Sequence, residues 1–401
     1  MELILKNYKL SIIIPTFNLE NTIDNAFNSI KCQSIGFEDI EVIFVDDNST
    51  DNTLSKLEDF SKKHENVNVY TTSKNSGYAG APRNIGLGKA TSDYVLFLDG
   101  DDELLINACE VLYEKIQFYN TDIVIGGHIN VYSNGIFEHY PPLLHNNESF
   151  FKNVLNTQLL NINPAISAKL FNRHLLTSNS INFPEGIPGE DLVFLLESLL
   201  NSRNALTLNN FYTYFRNLGD ESVTLKLTNE YFYGLIKAYL LASDLFEKHG
   251  VDDNIQEIVF HNHLSFFTER VMSEYYCEDC NDAELSEIFS SELFDELSGK
   301  EIFKNNPNFS QYFERMKNGE YNNRDLLNNI YQTFNFDSEI ISDLKYVKNE
   351  ISKLNIQPNR IQEDNIHLKK VNKELSKENK RLTSELNEIK SSKLWKLKNK
   401  F

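Results

Sequence analysis

Hydrophobic runs of strand length alternate with amphipathic segments in the first third of the chain. Nearly continuous apolar stretches at 10–14, 42–45 and 94–98 each stop abruptly in polar or acidic residues. Helical apolar spacing follows the first two, at 22–30 and 54–64, as in β-α-β-α units. Unbroken hydrophobic strands are typical of parallel sheets that are buried on both faces. The pattern therefore predicts an α/β fold with a mostly parallel sheet flanked by helices.

Five strands are predicted in the first 130 residues: Leu10–Thr16, Glu41–Asp46, Val67–Thr72, Tyr94–Asp99 and Asp122–Asn130. Farther along, a helix is predicted near Ser149–Leu160 and another from Gly189, and Tyr212–Phe215 has strand character. From Asn229 to about Asn335 the apolar spacing is helical and rich in Phe and Tyr, which indicates a small helical domain.

Three acids crowd the end of the apolar run at 94–98, namely Asp99, Asp101 and Asp102. Carboxylates this close raise one another's pKa unless a positive charge lies among them. Oxygen ligands on a short loop suit Mg²⁺ or Mn²⁺. The alternative is a solvated acidic turn that caps a helix beginning near Leu104. Because ligands of such sheets bind at the carboxyl ends of the strands, we favour a metal site.

Five motifs in order carry a resemblance to a known family. They are IIIPTFN at 12–18, VDDNSTD at 45–51, NSG at 75–77, PRNIGL at 82–87 and FLDGDD at 97–102. Together they resemble the family 2 glycosyltransferases, strongly over about residues 9–130 and more weakly to 225. The resemblance implies a GT-A fold and an inverting enzyme that uses a nucleotide-sugar. The proline before Arg-Asn is similar to that of transferases that decorate wall teichoic acid.

The resemblance also implies a UDP-sugar site. Asp47, the second acid of its pair, would accept the N3–H of uracil, and Asn75 would reach the base. The adjacent Asp46 is the alternative, or it simply caps the following turn. Three residues at the end of the first strand would line the base and ribose, although ordinary turn chemistry explains them equally well: Pro15, Thr16 and Phe17.

Arg83 is predicted in the first turn of a helix, after a proline suited to that position. Its planar donor fork suits phosphate or carboxylate, and the resemblance implies contact with the diphosphate or with an acid of the metal site. A surface salt bridge is the alternative. In the D-x-D pattern Asp101 would ligate Mn²⁺ or Mg²⁺, Asp99 would contact ribose or the metal's water, and Gly100 would lie beside the nucleotide-sugar. The metal would neutralise charge as UDP leaves.

Glu190 and Asp191 begin an amphipathic helix, where the backbone dipole favours carboxylates. The family places its general base in such a pair, so we predict Asp191 as the base and Glu190 as the fallback. The acceptor would be a hydroxyl of a polysaccharide, a polyol-phosphate such as teichoic acid, or a lipid-linked sugar. Residues 216–224 resemble a mobile lid over the diphosphate, with a plain loop as the alternative.

Composition narrows the class of protein. The chain is 41% hydrophobic and 12% aromatic, which is enough for a sizeable core. It has no run of eighteen apolar residues for a membrane span, and its N-terminus lacks the pattern of a signal peptide. Four cysteines do not form a disulfide scaffold, which favours the cytoplasm. The net charge of −19 disfavours nucleic acid as a partner.

The C-terminal region differs in charge and periodicity. Residues 359–401 contain twelve Lys and Arg against six Asp and Glu, so a basic tail follows an acidic body. Apolar residues recur every seven positions: Ile361, Leu368, Leu375, Leu382 and Ile389. Asparagines at Asn365, Asn372 and Asn379 would occupy a positions of a parallel dimeric coiled coil; a single solvated helix is the alternative. Residues 390–401 carry five lysines and would bind an anionic membrane at its inner face; a frayed, solvated end of the coiled coil is the alternative.

We therefore predict a catalytic domain at 1–225, a helical domain at 226–335 and a coiled coil at 336–401. Two other functions compete with the transferase. A nucleotidyltransferase would need a glycine-rich basic loop after the first strand, which residues 19–22 lack. A non-catalytic scaffold would not need the three acids Asp47, Asp101 and Asp191. Zinc at His261, His263 and two cysteines, Cys277 and Cys280, is disfavoured because the histidines point to different faces of a helix.

Overall fold

A mixed sheet forms the centre of the part of the chain that the structure describes. This computed structural model describes residues 7–132, 135, 137–144, 146–218, 228–275 and 282–319, and the side chains of 269–275 and 282–284 are outside the description. Ten strands are found there: β1 (Leu10–Thr16), β2 (Ile40–Asp46), β3 (Val67–Thr71), β4 (Tyr94–Phe97), β5 (Glu103–Leu104), β6 (Ile123–Tyr132), β7 (Phe137–Tyr140), β8 (Glu148–Phe151), β9 (Lys169–Asn172) and β10 (Ala205–Leu218).

The spatial order of the strands is β3-β2-β1-β4-β9-β6-β10-β5, with β7 paired to β6 and β8 to β10. The four strands from β3 to β4 are parallel to one another. The five predicted strands are all present, with ends within about two residues of the prediction, as expected for boundary assignments. The carboxyl ends of β1, β2 and β4 therefore meet at one edge of the sheet.

The second half of the sheet is mixed. Strand β9 runs antiparallel to both of its neighbours, β4 and β6. Strand β10 is parallel to β6, whereas β5 and β8 are antiparallel to β10. The strand character predicted for Tyr212–Phe215 is confirmed within β10.

Helices cover both faces of the sheet. They are α1 (Ile23–Lys31), α2 (Thr53–Lys63), α3 (Gly80–Lys89), α4 (Ala108–Tyr119), α5 (Thr157–Leu160), α6 (Arg173–Ser178), α7 (Glu190–Asn201), α8 (Asn229–His249), α9 (Asp253–Tyr275), α10 (Asp282–Phe289), α11 (Glu292–Gly299), α12 (Glu301–Asn305) and α13 (Pro307–Lys317). Along β1, Ile12 and Ile14 pack in one core with α1, α2 and α4. The intervening Ile13 faces the other core, with α3, α6 and α7. Two covered faces explain the unbroken apolar strands.

Helices α8 to α13 extend the second core. Their buried side chains, such as Phe232, Phe246 and Phe303, belong to the same cluster as Phe194 of α7. A helical region is therefore present where the sequence indicates one, and the domain boundary at 225/226 stays a prediction. Of the predicted lid at 216–224, residues 216–218 form the end of β10. The rest of the lid, the coiled coil and the basic tail lie outside the described residues. Among the described residues, no helix is long and apolar enough to cross a bilayer.

The predicted helix at Ser149–Leu160 is wrong for most of its length. Residues 148–151 form β8 and pair antiparallel with β10, Phe150 opposite Leu206. Only Thr157–Leu160 is helical, with the Asn156 side chain accepting hydrogen bonds from the first turn. The local apolar spacing is overridden by pairing with a strand more than fifty residues away, as tertiary context often overrides propensity.

Candidate active site

The end of β1 and the acidic turn after β4 pack closely at the edge of the sheet. A Cβ on Gly100 would lie 3.2 Å from both the Pro15 carbonyl oxygen and the Thr16 Cγ2, and 2.6 Å from Leu19 Cδ1. A larger residue would require the Leu19 side chain to move and the contact with β1 to loosen slightly. Phe17 follows with 43% of its surface exposed. The residues of β1 that are predicted to line the nucleotide-sugar therefore lie next to the D-x-D turn.

The two acids that end β2 have different partners. Asp46 caps the following turn, because its carboxylate accepts hydrogen bonds from the Ser49 N–H at 2.9 Å and the Ser49 hydroxyl at 2.5 Å. Asp47 instead accepts from the Ser76 N–H at 2.9 Å and from the Thr72 hydroxyl at 2.8 Å. The Asn75 amide donates to the Asp47 carbonyl at 3.2 Å. A hydrogen bond thus connects Asn75 to Asp47. Asp46 caps the turn that follows β2, which is the alternative role considered for it.

Arg83 connects the acidic turn to the predicted base. Its Nη2 donates to Asp99 Oδ1 at 2.7 Å, and its Nη1 donates to Asp191 Oδ1 at 2.7 Å and Glu190 Oε1 at 3.1 Å. Only 3% of the Arg83 side chain is exposed, and its guanidinium lies over the Phe183 ring, 5.2 Å from the centroid. Of the contacts expected for Arg83, the structure contains the one to an acid of the D-x-D pattern.

Arg83 is positioned by helix α3, which packs closely against β1 and against the segment that leads to α7. A Cβ on Gly86 would lie 2.3 Å from Ile13 Cγ2, and one on Gly80 would lie 2.3 Å from the Pro184 carbonyl oxygen. Asn84 exchanges two hydrogen bonds with the Phe183 backbone, at 2.8 and 2.9 Å. The motif at 82–87 therefore locks the helix between β1 and the segment that leads to α7.

Helix α7 begins at the two acids. Gly189 is its N-cap, with a left-handed φ of 78° that glycine adopts without strain. The side chains of Glu190 and Asp191 are 12% and 26% exposed. Both acids lie in the first turn, where the helix dipole favours negative charge.

Burial and the neighbouring charges shift the pKa values of Glu190, Asp191 and Arg83. Burial, together with the charge of Asp191, raises the pKa of Glu190 to about 7 against the opposing effect of Arg83. Burial also raises the pKa of Asp191, and the Arg83 charge limits that rise. For Arg83 burial alone would lower the pKa, but the surrounding carboxylates raise it. Arg83 therefore stays charged and holds three acids around itself.

The acidic turn is anchored by β10 rather than by a helix. Asp102 accepts a hydrogen bond from the Asn217 N–H at 2.8 Å, and the Asn217 amide donates to the Asp101 carbonyl at 2.8 Å. The next residues form β5, and α4 begins only at Ala108. The cap of a helix near Leu104 is therefore ruled out as the role of these acids.

The acidic turn is suited to a cation. Desolvation in the crowded turn and the charge of Asp99 raise the pKa of Asp101 to about 6. A divalent ion would relieve this repulsion. Within the described residues no group of three or more acidic, His or Cys ligands is found. Asp99 and Asp101 are the residues of this turn that could hold such an ion.

Two basic residues are buried in the second half of the sheet, and neither carried a signal in the sequence. Lys169 on β9 is 2% exposed, and burial lowers its pKa to about 7 although Asp191 opposes the change. His128 on β6 stacks on Tyr140 and Tyr214, with centroids 5.0 and 5.5 Å apart. Burial lowers its pKa to about 4. Each stands in an ordinary strand sequence, so only pairing within the sheet buries it.

The disfavoured zinc site falls partly outside the description. His261 and His263 lie on α9, whereas Cys277 and Cys280 lie outside the described residues. His263 is partly buried, and desolvation lowers its pKa to about 4; its carbonyl accepts a hydrogen bond from the Tyr239 hydroxyl at 2.9 Å. The contacts of His263 are those of a residue in a packed helical core.

Known proteins are similar to this chain in sequence and in fold. The family model described as Glycosyl transferase family 2 matches residues 11–176. A poly(ribitol-phosphate) beta-glucosyltransferase of Bacillus spizizenii is 30% identical over 266 residues, which are 64% of this chain and 40% of that protein. The chain therefore spans less than half the length of this relative.

Two further similarities cover more of the matched protein. A poly(ribitol-phosphate) beta-N-acetylglucosaminyltransferase of Staphylococcus aureus, TarP, is 32% identical over 248 residues, 58% of this chain and 71% of TarP. The crystal structure of S. aureus TarS 1–349 in complex with UDP-GlcNAc matches the fold with a TM-score of 0.62 at 21% identity, covering 81% of this chain and 91% of that one. The resemblance seen in the five motifs and the expected fold class are confirmed. The chain belongs to the family 2 glycosyl transferases.

Proposed function

We propose that this chain transfers a sugar from a UDP-sugar to a hydroxyl group of a polyol-phosphate acceptor, with inversion at the anomeric carbon. The observation that carries the proposal is the position of Arg83. Its guanidinium contacts Asp99 of the D-x-D turn and Asp191 at the start of α7, each at 2.7 Å. One buried cation thus joins the acids that would face the donor to the acid that would face the acceptor.

The donor half would lie at the ends of β1 and β2. The Asp47 carboxylate would accept the N3–H of uracil, in addition to its bonds to Ser76 and Thr72. Each carboxylate oxygen can accept two hydrogen bonds. Asp47 Oδ2 already accepts two from the N–H and the hydroxyl of Ser76, so only Oδ1 keeps capacity for one more. Asn75, fixed on the Asp47 backbone, and the exposed ring of Phe17 would complete the base site. The relative TarS, whose structure holds UDP-GlcNAc, supports a uridine donor.

A metal would occupy the acidic turn. Asp101 and Asp99 would hold Mn²⁺ or Mg²⁺ together with the diphosphate. When bound, the ion supplies positive charge for the leaving UDP. Asp102 would support the turn, because its carboxylate accepts the Asn217 N–H.

Asp191 would act as the general base. Its carboxylate is partly exposed and is held by Arg83 through one oxygen, so the other oxygen remains available to an acceptor. The acceptor oxygen would attack the anomeric carbon while its proton moves to Asp191 and the bond from that carbon to UDP breaks. One displacement without a covalent intermediate inverts the configuration. Glu190 is less exposed and is the fallback for this role.

A polyol-phosphate acceptor is favoured by the relatives. Two of the similar proteins are named as poly(ribitol-phosphate) transferases. A polysaccharide or a lipid-linked sugar offers the same hydroxyl chemistry and is tested alongside. A homodimer through the heptads at 361–389, cytoplasmic placement and attachment of the basic tail to the inner membrane face would hold the enzyme beside such an acceptor.

A donor screen tests the proposal. The purified chain is incubated with Mn²⁺, poly(ribitol phosphate) and either UDP-GlcNAc, UDP-glucose or UDP-galactose, and UDP release is measured with and without acceptor. We expect acceptor-dependent release with at least one donor and loss of release when Asp191 is replaced by Asn. Failure of every donor with the three acceptor classes would contradict the proposed function.

A further inference from the structure

The hairpin formed by β6 and β7 lies at the same edge of the sheet as the acidic turn. Strand β9 is antiparallel to both β4 and β6, and β6 is parallel to β10, so the carboxyl ends of β4, β6 and β10 point to one edge. Asn217, near the end of β10, donates to the Asp102 carboxylate and to the Asp101 carbonyl, each at 2.8 Å. Strand β7 is two strands away from β10, which corresponds to about 10 Å. The hairpin is therefore close to the predicted transfer site without being part of it.

One face of the hairpin carries two tyrosines that share a carboxylate. The hydroxyls of Tyr132 and Tyr140 both donate to Glu138 Oε2, at 2.6 and 2.8 Å. These hydrogen bonds lower the pKa of Glu138, so its carboxylate is ionised at neutral pH. Within the described part of the chain, Oε1 of this exposed glutamate accepts no hydrogen bond. The hairpin cluster (Tyr132, Glu138 and Tyr140) therefore presents a charged oxygen that can accept hydrogen bonds from a ligand.

The ring of Tyr140 is held in place by stacking. His128 stacks on it with centroids 5.0 Å apart and an interplanar angle of 6°, and also stacks on Tyr214 at 5.5 Å. Among the described strands β7 pairs with β6 alone, and Tyr140 remains 38% exposed. A fixed aromatic ring offers an apolar surface beside its polar end. Such a surface fits the C–H groups of a sugar or polyol while nearby oxygens bind the hydroxyls.

Asn130 lies beside the hairpin cluster with an unpaired oxygen. In the register of the sheet it is opposite Glu138 of β7 and Arg216 of β10, so the three side chains share one face. Asn130 is 7% exposed, and its Oδ1 accepts no hydrogen bond from the described residues. Buried oxygens without a donor are uncommon in folded proteins. This row can therefore accept a further hydrogen bond from a hydroxyl that enters beside Glu138.

We propose that this face of the β6–β7 hairpin binds the acceptor chain, at a hydroxyl-bearing unit beyond the one that receives the sugar. Glu138 Oε1 and Asn130 Oδ1 accept hydrogen bonds from the hydroxyls of that unit, and the ring of Tyr140 packs on its carbon chain. The inference rests on the proposed function, because it names the place where the same acceptor is held. These residues do not touch the reacting atoms, so they set the affinity for the acceptor and leave the chemical step unchanged.

Glu138→Gln tests the inference, because glutamine keeps the shape of an exposed side chain and removes the charge that binds the hydroxyls. We expect the KM for poly(ribitol phosphate) to rise by about 5–20-fold, as for the loss of one or two hydrogen bonds to a charged group. The kcat and the KM for the UDP-sugar should stay within about twofold, because binding to the hairpin is the same in the ground state and the transition state. Tyr140→Ala removes the ring and should raise the same KM.

Glu148→Gln is the matched control. Glu148 also accepts a hydrogen bond from a tyrosine, the Tyr119 hydroxyl at 2.9 Å. It lies on β8, which pairs with the start of β10 and not with its carboxyl end. The same chemical change there should alter neither kcat nor the KM for the polymer.

The length of the acceptor separates binding at the hairpin from a disturbance of the transfer site. A single ribitol phosphate unit occupies the transfer site alone, so Glu138→Gln should leave its KM unchanged. An equal rise in KM for the monomer and the polymer would overturn the inference. A fall in the KM for the polymer would also overturn it, because repulsion between Glu138 and the phosphates would then outweigh any binding of hydroxyls.

Affinity electrophoresis in gels that contain poly(ribitol phosphate) measures binding without turnover. The polymer should retard the wild-type chain and the control more than it retards Glu138→Gln and Tyr140→Ala. This difference decides the inference even if the wild-type chain transfers no sugar and the proposed function fails. If Tyr140→Ala fails to fold, Glu138→Gln alone carries the comparison. Equal retardation of the wild-type chain and the folded variants, or an active enzyme whose KM for the polymer is unchanged in them, would overturn the inference and leave the proposed function standing.

Discussion

Gly234 on α8 lies against Pro188, the residue that leads into α7. A Cβ on Gly234 would come within 2.2 Å of Pro188 Cδ and 2.7 Å of Pro188 Cγ. One turn later, the Ala238 Cβ lies 3.0 Å from the place of a Cβ on Gly189. Helix α8 therefore supports the turn from which Glu190 and Asp191 project, so the helical region takes part in positioning the predicted base.

Gly234→Ala should destabilise the fold and impair transfer. The methyl group overlaps a proline ring in a packed core, and overpacking costs about 1–3 kcal/mol. Alanine has a higher helix propensity than glycine, which stabilises the helix by up to about 1 kcal/mol. The net change in the free energy of unfolding should therefore remain unfavourable. Urea unfolding gives the stability, and the rate of UDP release in the presence of acceptor gives the transfer.

Gly88→Ala provides the control for this effect. Gly88 is exposed near the end of α3, and a Cβ there meets nothing within 4 Å. The same chemical change should therefore leave stability unchanged or raise it by up to about 1 kcal/mol. Equal destabilisation by the two substitutions would show that the contact with Pro188 is unimportant.

Asp101→Ala should abolish transfer, and excess chelator should inhibit the wild-type chain reversibly. The reason is that burial and the charge of Asp99 raise the pKa of Asp101 to about 6, so a cation would stabilise its ionised form. Calorimetry with Mn²⁺ and UDP adds a direct reading of metal binding. As a control, Asp39→Ala removes a surface acid paired with Lys9 and should change neither result. Full activity in excess chelator would contradict metal dependence.

The sequence predicts the parallel half of the sheet well because its strands are buried on both faces. In β1 and β2 nearly every side chain is apolar, and this needs no knowledge of distant contacts. The strands that sequence reasoning missed, β5, β7, β8 and β9, have two to four residues each. Their identity depends on pairing partners far away in the chain, as Phe150 opposite Leu206 shows.

In the candidate site, too, some residues can be predicted from local sequence and others cannot. Acids at strand and helix ends, such as Asp47, Asp101 and Asp191, are visible because polar residues interrupt apolar patterns. The contacts of Arg83 with Asp99 and Asp191 span 16 and 108 residues along the chain, so no local pattern indicates them. Lys169 stands in an ordinary strand and becomes notable only through its burial.

The C-terminal region should govern assembly and membrane attachment. The full chain should be dimeric and should sediment with anionic vesicles at low salt, because each lysine near such a surface contributes about 1 kcal/mol. High salt should release it. A chain that ends at Asn335 should be monomeric, stay in the supernatant and still release UDP. If neither chain binds vesicles, the tail has no membrane role, and a monomeric full chain would exclude the coiled-coil dimer.

General-base catalysis by Asp191 is tested most directly by the single-turnover rate of sugar transfer in Asp191→Asn, measured with donor bound to saturation. Asparagine keeps a hydrogen-bonding oxygen for Arg83 but cannot take the proton of the acceptor hydroxyl. We expect a rate lower by about 10²–10⁴-fold with unchanged UDP-sugar affinity. A loss seen in Glu190→Gln and absent from Asp191→Asn would move the base to the neighbouring acid. A wild-type rate in both variants would contradict base catalysis at this site.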